Sequence, residues 1–304
     1  MYDVVIIGGG PAGLSAALVL GRCRRRVLVC DDGHPRNARA GAVHGYLTRD
    51  GIAPLELLRL GREELVPYGI EWTQGTARDI HRNGGRFDVE LESRDRFPAR
   101  AVLIATGVRD HLPDIRGIAD CYGVSVHHCP YCDGWESRDR IIVALGEQIS
   151  PAGLALSLKT WSNRIVACTN GRARVSRAHR QQLASHDIAL YEAAIARVEH
   201  DAGQLQRIVF ADGSSVACDA IFFTATQSQQ CELARRVGCE FTRKGTVKTD
   251  HLGKTCVPGI YVVGDASRDV QFVIVAAAEG AKAGVAINQV LQKRAGLAAE
   301  PMAS

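Results

Sequence analysis

Two cysteines separated by two residues, Cys129-Pro130-Tyr131-Cys132, are the part of this 304-residue chain best suited to chemistry. On a turn, that spacing brings two sulfurs within disulfide reach, and Pro130 stiffens the turn by fixing its own φ. Such a pair can cycle between dithiol and disulfide, with a thiolate as the nucleophile. Ten cysteines in a chain of this length produce one such spacing by chance roughly 0.3 times, so context has to decide what the pair does. His127 and His128 immediately precede it. They open the reading of a zinc site, and a second one in which they line the cysteine pocket or pass protons. No second CxxC and no histidine pair at finger spacing follows, which argues against zinc. A buried, inert cysteine pair stays open as a third reading.

A second constellation stands near the start of the chain, in Gly8-Gly9-Gly10-Pro11-Ala12-Gly13. At this spacing Gly8 permits a tight turn off a strand, Gly10 lets the backbone approach a pyrophosphate, and Gly13 lets helix and strand pack closely. The phosphates would face the helix N-terminus. Asp31 stands where an acid bonding the ribose hydroxyls is expected.

These side chains need a strand, a glycine turn, a helix and a second strand to position them, and the sequence supplies all four. Tyr2 to Ile7 reads as a strand, Leu14 to Arg22 as a helix and Arg26 to Cys30 as the next strand, a βαβ unit. From Glu71 to Leu91, alternating apolar residues around Asn83-Gly84-Gly85 predict a β-hairpin excursion. Ala101 to Gly107 returns as a buried strand, and the chain leaves the first domain around Asp114 to Arg116. A second βα pattern follows, with a strand at Ile141 to Leu145, a loop from Gly146 to Gly153, a helix to Trp161 and a strand at Arg164 to Thr169. Further strands are expected at Leu205 to Phe210, Ala220 to Thr224 and from Ile260, before a long helix from about Phe272 to Gln292.

Composition fits two globular domains, with 46% hydrophobic and 23% charged residues. The longest apolar runs, Val4 to Ile7 and Val273 to Ala278, are far shorter than a membrane span, and no secretory signal is legible, so no membrane association and a cytoplasmic location are expected. The net charge of +4 comes from scattered basic residues without aromatic interleaving, which argues against nucleic acid as a partner. Isolated cysteines such as Cys30, Cys168 and Cys218 read as core residues in a reducing compartment.

Four motifs occur in a fixed order: Gly8 to Gly13, Ala105-Thr106-Gly107, Cys129-Pro130-Tyr131-Cys132-Asp133-Gly134, and Pro258-Gly259-Ile260-Tyr261-Val262-Val263-Gly264-Asp265. Together they resemble the low-molecular-weight thioredoxin reductases over essentially the whole chain. The resemblance implies an α/β fold of two Rossmann-like three-layer domains. An FAD-binding domain, discontinuous in sequence, would comprise 1–113 and 246–304, with a central domain at 114–245 inserted in it and carrying the cysteines. It implies FAD held by Gly8, Gly10, Pro11, Ala12, Gly13, Asp31, Ala105, Thr106, Gly107, Gly264, Asp265, Phe272 and Val273. Asp265 would bond the ribityl chain, and Phe272 and Val273 would approach the isoalloxazine. Cys132 would face the flavin, Cys129 would attack the substrate disulfide, and Asp133 would move a proton to or from the departing thiol. A homodimer is implied as well, and no metal.

One stretch departs from that family. Its NADPH-using members carry a second GxGxxG-like loop and a His-Arg-Arg after the next strand. Here Gly146-Glu147-Gln148-Ile149-Ser150-Pro151-Ala152-Gly153 lacks the closely spaced glycines, Glu147 adds negative charge, and Thr169-Asn170-Gly171 replaces the arginines. Arg172 or Arg174 could compensate. The expectation is that NADPH is a doubtful reductant, leaving a small dithiol, a thioredoxin-like protein, another protein electron donor or oxygen as partners in electron flow. A second nucleotide or flavin in the central cleft is a further expectation. A conventional NADPH-dependent thioredoxin reductase and a flavin-binding redox sensor are the alternatives.

Overall fold

A computed structural model describes residues 1–147, 149–171, 174–267 and 270–297. The chain divides into two compact units. One comprises Met1–Ala38, Gly45–Arg109 and the chain from Gln227 onward, and the other Arg39–His44 and Asp110–Thr226.

The first unit is built on a sheet whose parallel strands run in the order Glu71–Gln74, Val27–Asp31, Tyr2–Ile7, Arg96–Ile104. Ile260–Val262 also joins Arg96–Ile104 in parallel, while Arg86–Leu91 and Ala77–Asn83 continue from it as an antiparallel hairpin. Side chains alternate across the central strand, and both of its faces are buried. Val5 and Ile7 pack with Leu28, Phe87 and Val102, whereas Val4 and Ile6 pack with Leu14, Leu103 and Ile287. Two helices cover the second face, Pro11–Arg22 and Val273–Arg294. They approach so closely that a Cβ on Gly280 would overlap the Ala12 carbonyl, and one on Gly284 would stand 3.1 Å from Val19. Helix and sheet thus join the beginning of the chain to its residues beyond 260.

The second unit has a five-stranded parallel sheet, ordered Ala189–Tyr191, Ile165–Cys168, Ile142–Leu145, Ala220–Phe223, Val126–His127. Ile142, Ala144 and Phe222 pack under the helices Ala152–Leu158 and Arg177–Ser185. Val143, Leu145 and Phe223 pack instead on an antiparallel meander of Ile195–Asp201, Gln204–Phe210 and Ser215–Ala217. Helices, parallel sheet and meander are the three layers of this α/β unit.

The unit boundaries differ from those expected. The chain returns to the first unit at Gln227, well before residue 246, because Leu233, Ala234, Val237, Cys239 and Val247 belong to that unit's core. It leaves at Arg109 instead of residue 113, and Arg39–His44 cluster with the second unit. The segments joining the units, Val108–His111 and Thr226–Gln229, pair as a two-stranded ladder. Glu71–Gln74 is a parallel edge strand and no part of the hairpin, held there by Trp72 against the helix-covered core. Among the described residues no helix is long and apolar enough to cross a membrane.

Candidate active site

Cys129 and Cys132 are joined in a disulfide, their Cα atoms 5.3 Å apart. Cys129 caps the short helical turn Pro130–Asp133, where Pro130 takes the first position, at which a missing N–H costs nothing. Gly134 follows because the turn lies against Trp161, whose ring a Cβ at 134 would meet at 2.7 Å. Tyr131, 72% exposed, stands edge-on to the same ring with centroids 5.5 Å apart. No group of three His, Cys, Asp or Glu among the described residues is arranged to hold a metal.

Acid and base groups surround the turn. Burial pushes the Asp133 carboxyl up to about 6, with Glu136 adding to the effect and His44 opposing it. Burial pushes His127 down to about 4, helped by the nearby His128. His127 Nδ1 lies 3.4 Å from Asp133 Oδ1. With the imidazole neutral at pH 7 this is a polar contact and no ion pair. His128 points elsewhere: its Nδ1 is 3.0 Å from the Tyr122 hydroxyl, which donates to Asp110 at 2.9 Å. His44 stands 3.5 Å from Glu136. Sequence reasoning missed His44, Tyr122 and Asp110, which are distant from the cysteines along the chain and carry no motif. It gave Glu136 no role either.

In the first unit, the glycine turn is shaped as its spacing predicts. A Cβ on Gly8, whose φ is +106°, would overlap the Ala105 carbonyl, and one on Gly13 would overlap the Gly8 carbonyl. Nothing lies within 4 Å of the position a Gly10 Cβ would take. Gly10 caps the 12-residue helix Pro11–Arg22, so its surroundings are open just where N–H groups and the positive helix end converge. Asp31 ends the second strand, accepting the Gly9 N–H at 2.8 Å and standing 3.2 Å from Arg62. Arg62 in turn covers the Trp72 ring at 4.5 Å. Gly9 is therefore required as well, since its Cβ would collide with Trp72.

The later motifs converge on the same turn. Gly264 has φ +71°, and its Cβ would stand 3.2 Å from that of Ala12. Its N–H donates to Glu279 at 2.9 Å. Asp265 Oδ2 accepts from Arg36 at 2.8 Å, and the same guanidinium nitrogen reaches Gln271 at 2.8 Å. Gln271 is bonded to Gln227. Phe272 caps the last helix and Val273 begins it. The Thr106 hydroxyl receives the Cys231 thiol at 3.6 Å, and the Gly107 carbonyl accepts the Gln230 N–H at 3.2 Å. An open glycine cradle at a helix N-terminus, with one acid at a strand end and another beside it, fits a dinucleotide. Arg36, Arg62 and Trp72 are additions that no motif announced.

The corresponding loop of the second unit is built differently. A Cβ on Gly146 would overlap the Ile149 carbonyl and meet the Pro151 ring at 2.8 Å, so this loop turns back on itself. Pro151 caps a helix of only seven residues. Asn170, with φ +51°, is 6% exposed; its Oδ1 accepts the Ile195 N–H at 2.8 Å and its Nδ2 donates to Glu147 at 2.9 Å. Arg172 lies outside the described residues, and Arg174 is exposed.

A disulfide on a turn that begins with proline, flanked by a half-buried acid and carried with a dinucleotide cradle in one chain, defines a flavin-linked thiol–disulfide oxidoreductase. Residues 2–280 match the family of pyridine nucleotide-disulphide oxidoreductases. The chain is 31% identical over 301 residues to a protein of Arthroderma benhamiae named "Probable thioredoxin reductase", covering 88% of this chain and 74% of that one. The crystal structure of HlmI superimposes with a TM-score of 0.93 at 36% identity, covering 97% of this chain and 94% of that one. An oxidoreductase from Agrobacterium tumefaciens gives 0.89 at 34% identity, covering 96% and 99%. The chain belongs to the pyridine nucleotide-disulphide oxidoreductases. Within them it is a thioredoxin reductase-like, FAD-dependent enzyme acting on sulfur groups.

Proposed function

We propose that the protein moves electron pairs between a thiol or disulfide substrate and FAD by way of Cys129 and Cys132, and that NADPH is not its efficient reductant. The observation that carries the first half is the bonded cysteine pair with the half-buried Asp133, its carboxyl raised by burial, next to it in the same turn. The flavin, when bound, supplies a centre that accepts or gives up two electrons. Gly8, Gly10, Pro11, Ala12 and Gly13 shape its pyrophosphate site, Asp31 takes the ribose hydroxyls, and Ala105, Thr106 and Gly107 border them. Gly264 and Asp265 take the ribityl chain, while Phe272 and Val273 border the ring.

The thiol chemistry belongs to the chain's own residues. When a dithiol is oxidised, one substrate thiolate attacks the Cys129 sulfur, the Cys129–Cys132 bond breaks and its electron pair leaves on Cys132. The second substrate thiolate then attacks its own sulfur partner in the mixed disulfide and releases Cys129. Two thiols have become one disulfide, and the enzyme pair is reduced. In disulfide reduction the same steps run backward, Cys129 attacking first and Cys132 resolving. Asp133, poised near 6, accepts a proton from a thiol or returns it. His127, neutral at pH 7, holds a polar contact to that carboxylate without neutralising it.

A small dithiol or a thioredoxin-like protein is the substrate this reading requires, with a homodimer as the working form. The second half rests on Gly146, packed under Ile149 and Pro151, on Pro151, which has no N–H for a phosphate, and on Thr169-Asn170-Gly171, which offers no guanidinium for a 2′-phosphate. Anaerobic titration of the purified flavoprotein tests both halves. A dithiol bleaches the flavin, whereas NADPH and NADH leave it oxidised at concentrations that saturate NADPH-using relatives. Rapid stoichiometric bleaching by micromolar NADPH would restore the conventional reading.

A further inference from the structure

We infer that Glu147 and Asn170 form a crossbar that closes the second unit's nucleotide groove, which makes Glu147 the determinant that rejects pyridine nucleotides. This rests on the proposed poor use of NADPH and names its physical cause. In a βαβ unit the groove for an adenosine phosphate runs from the loop after the first strand to the end of the second. Here those points are Glu147, just beyond Ile142–Leu145, and Asn170, just beyond Ile165–Cys168. Their side chains meet at 2.9 Å, so the bond spans the width a ribose and its phosphates would need.

Asn170 is no floppy lid. Its amide oxygen is fixed by the Ile195 N–H at the start of the meander, its side chain is buried, and a Cβ on Gly171 beside it would stand 3.4 Å from Ala194. Anchored this way, the amide presents Nδ2 to Glu147 and holds the carboxylate in place. A carboxylate held there repels a pyrophosphate, and a nucleotide that displaced it would strand a buried amide donor. Gly146 is packed under Ile149 and Pro151, and Pro151 has no N–H to offer.

The test uses NADP⁺ and NAD⁺, which bind such grooves but cannot reduce a flavin, so that binding is read apart from electron transfer. Calorimetry is run on the FAD-loaded protein and on Glu147→Gly and Glu147→Gln. Wild type shows no saturable binding up to millimolar concentrations. Glu147→Gly removes both bond and charge and binds both nucleotides at least tenfold more tightly. Glu147→Gln keeps an acceptor for Asn170 but loses the charge, and gains less. Asn170 serves the fold through Ile195 and is left untouched. If both variants keep their flavin and circular dichroism but gain no affinity, the crossbar is only structural and the inference falls, with the poor use of NADPH left standing. Micromolar binding by wild type would show an open groove and overturn the inference as well. The parent reading falls separately, if NADPH bleaches the wild-type flavin.

Discussion

Asp133 is asked to do two incompatible things. Partial burial raises its carboxyl from about 3.8 to about 6, so the folded state binds the proton more tightly than the unfolded chain does. Stability from this group is therefore fully present below about pH 4 and is lost as pH rises through 6, while its use as a proton acceptor appears over the same interval. Asp133→Asn should separate the two. Turnover should fall about 100-fold, the inflection near pH 6 in the thiol-exchange rate should disappear, and FAD should stay bound. The melting temperature at pH 7 should rise above wild type, with no such gain at pH 4. A variant that loses activity and stability together at pH 7 would contradict this account. The cysteines differ in a testable way too. Cys132→Ser leaves the thiol that meets substrate and should accumulate a mixed disulfide visible by mass spectrometry, whereas Cys129→Ser should accumulate none. At this scale the sequence displayed the cysteines and Asp133 because they share one motif. The partners from His44, Tyr122 and Asp110 were hidden, since folding alone brings them near the turn.

The glycine turn shows how two neighbours of one motif can fail for different reasons. A side chain at Gly10 meets nothing of the protein, so Gly10→Val should fold with a wild-type circular dichroism spectrum yet purify without yellow colour. Gly13→Ala places a methyl into the Gly8 carbonyl, so it should lose the fold itself, seen as loss of soluble protein or a much lower melting temperature. Recovery of a full flavin complement by Gly10→Val would remove the pyrophosphate from this turn. The elements legible in advance were those with a local signature. Asn83-Gly84-Gly85 makes a two-residue hairpin, Asn83 pairing with Arg86 and both glycines at positive φ, as such turns demand. Ile142–Leu145 and Ile165–Cys168 announced themselves as short apolar runs before loops. By contrast, the helix Pro54–Glu63 was not foreseen: it is short, and only Pro54 and Leu58 are buried in it. The early return at Gln227 escaped because its evidence is packing of Leu233, Val237 and Val247 in a core made by other segments.

Across the whole molecule, one unit interrupts the other. The sheet of the first unit is finished by Ile260–Val262, and the opening helix packs closely on Val273–Arg294. A chain truncated after Gly259 should therefore hold no flavin, while residues 110–226 remain resistant to limited proteolysis. Flavin retention by that truncated chain would show that the last strand and helix are dispensable. The same interruption imposes an order on synthesis. At roughly 5–20 residues per second, a ribosome needs about 8 to 30 s to pass from Arg109 to Ile260. Throughout that interval Arg96–Ile104 has its neighbour Tyr2–Ile7 on one side and waits for Ile260–Val262. By then every strand of the inserted unit has been made. The nascent chain thus closes its inserted half first and carries an unfinished sheet for many seconds, a window in which a chaperone has something to hold and the vitamin-derived cofactor has not yet a complete place to settle.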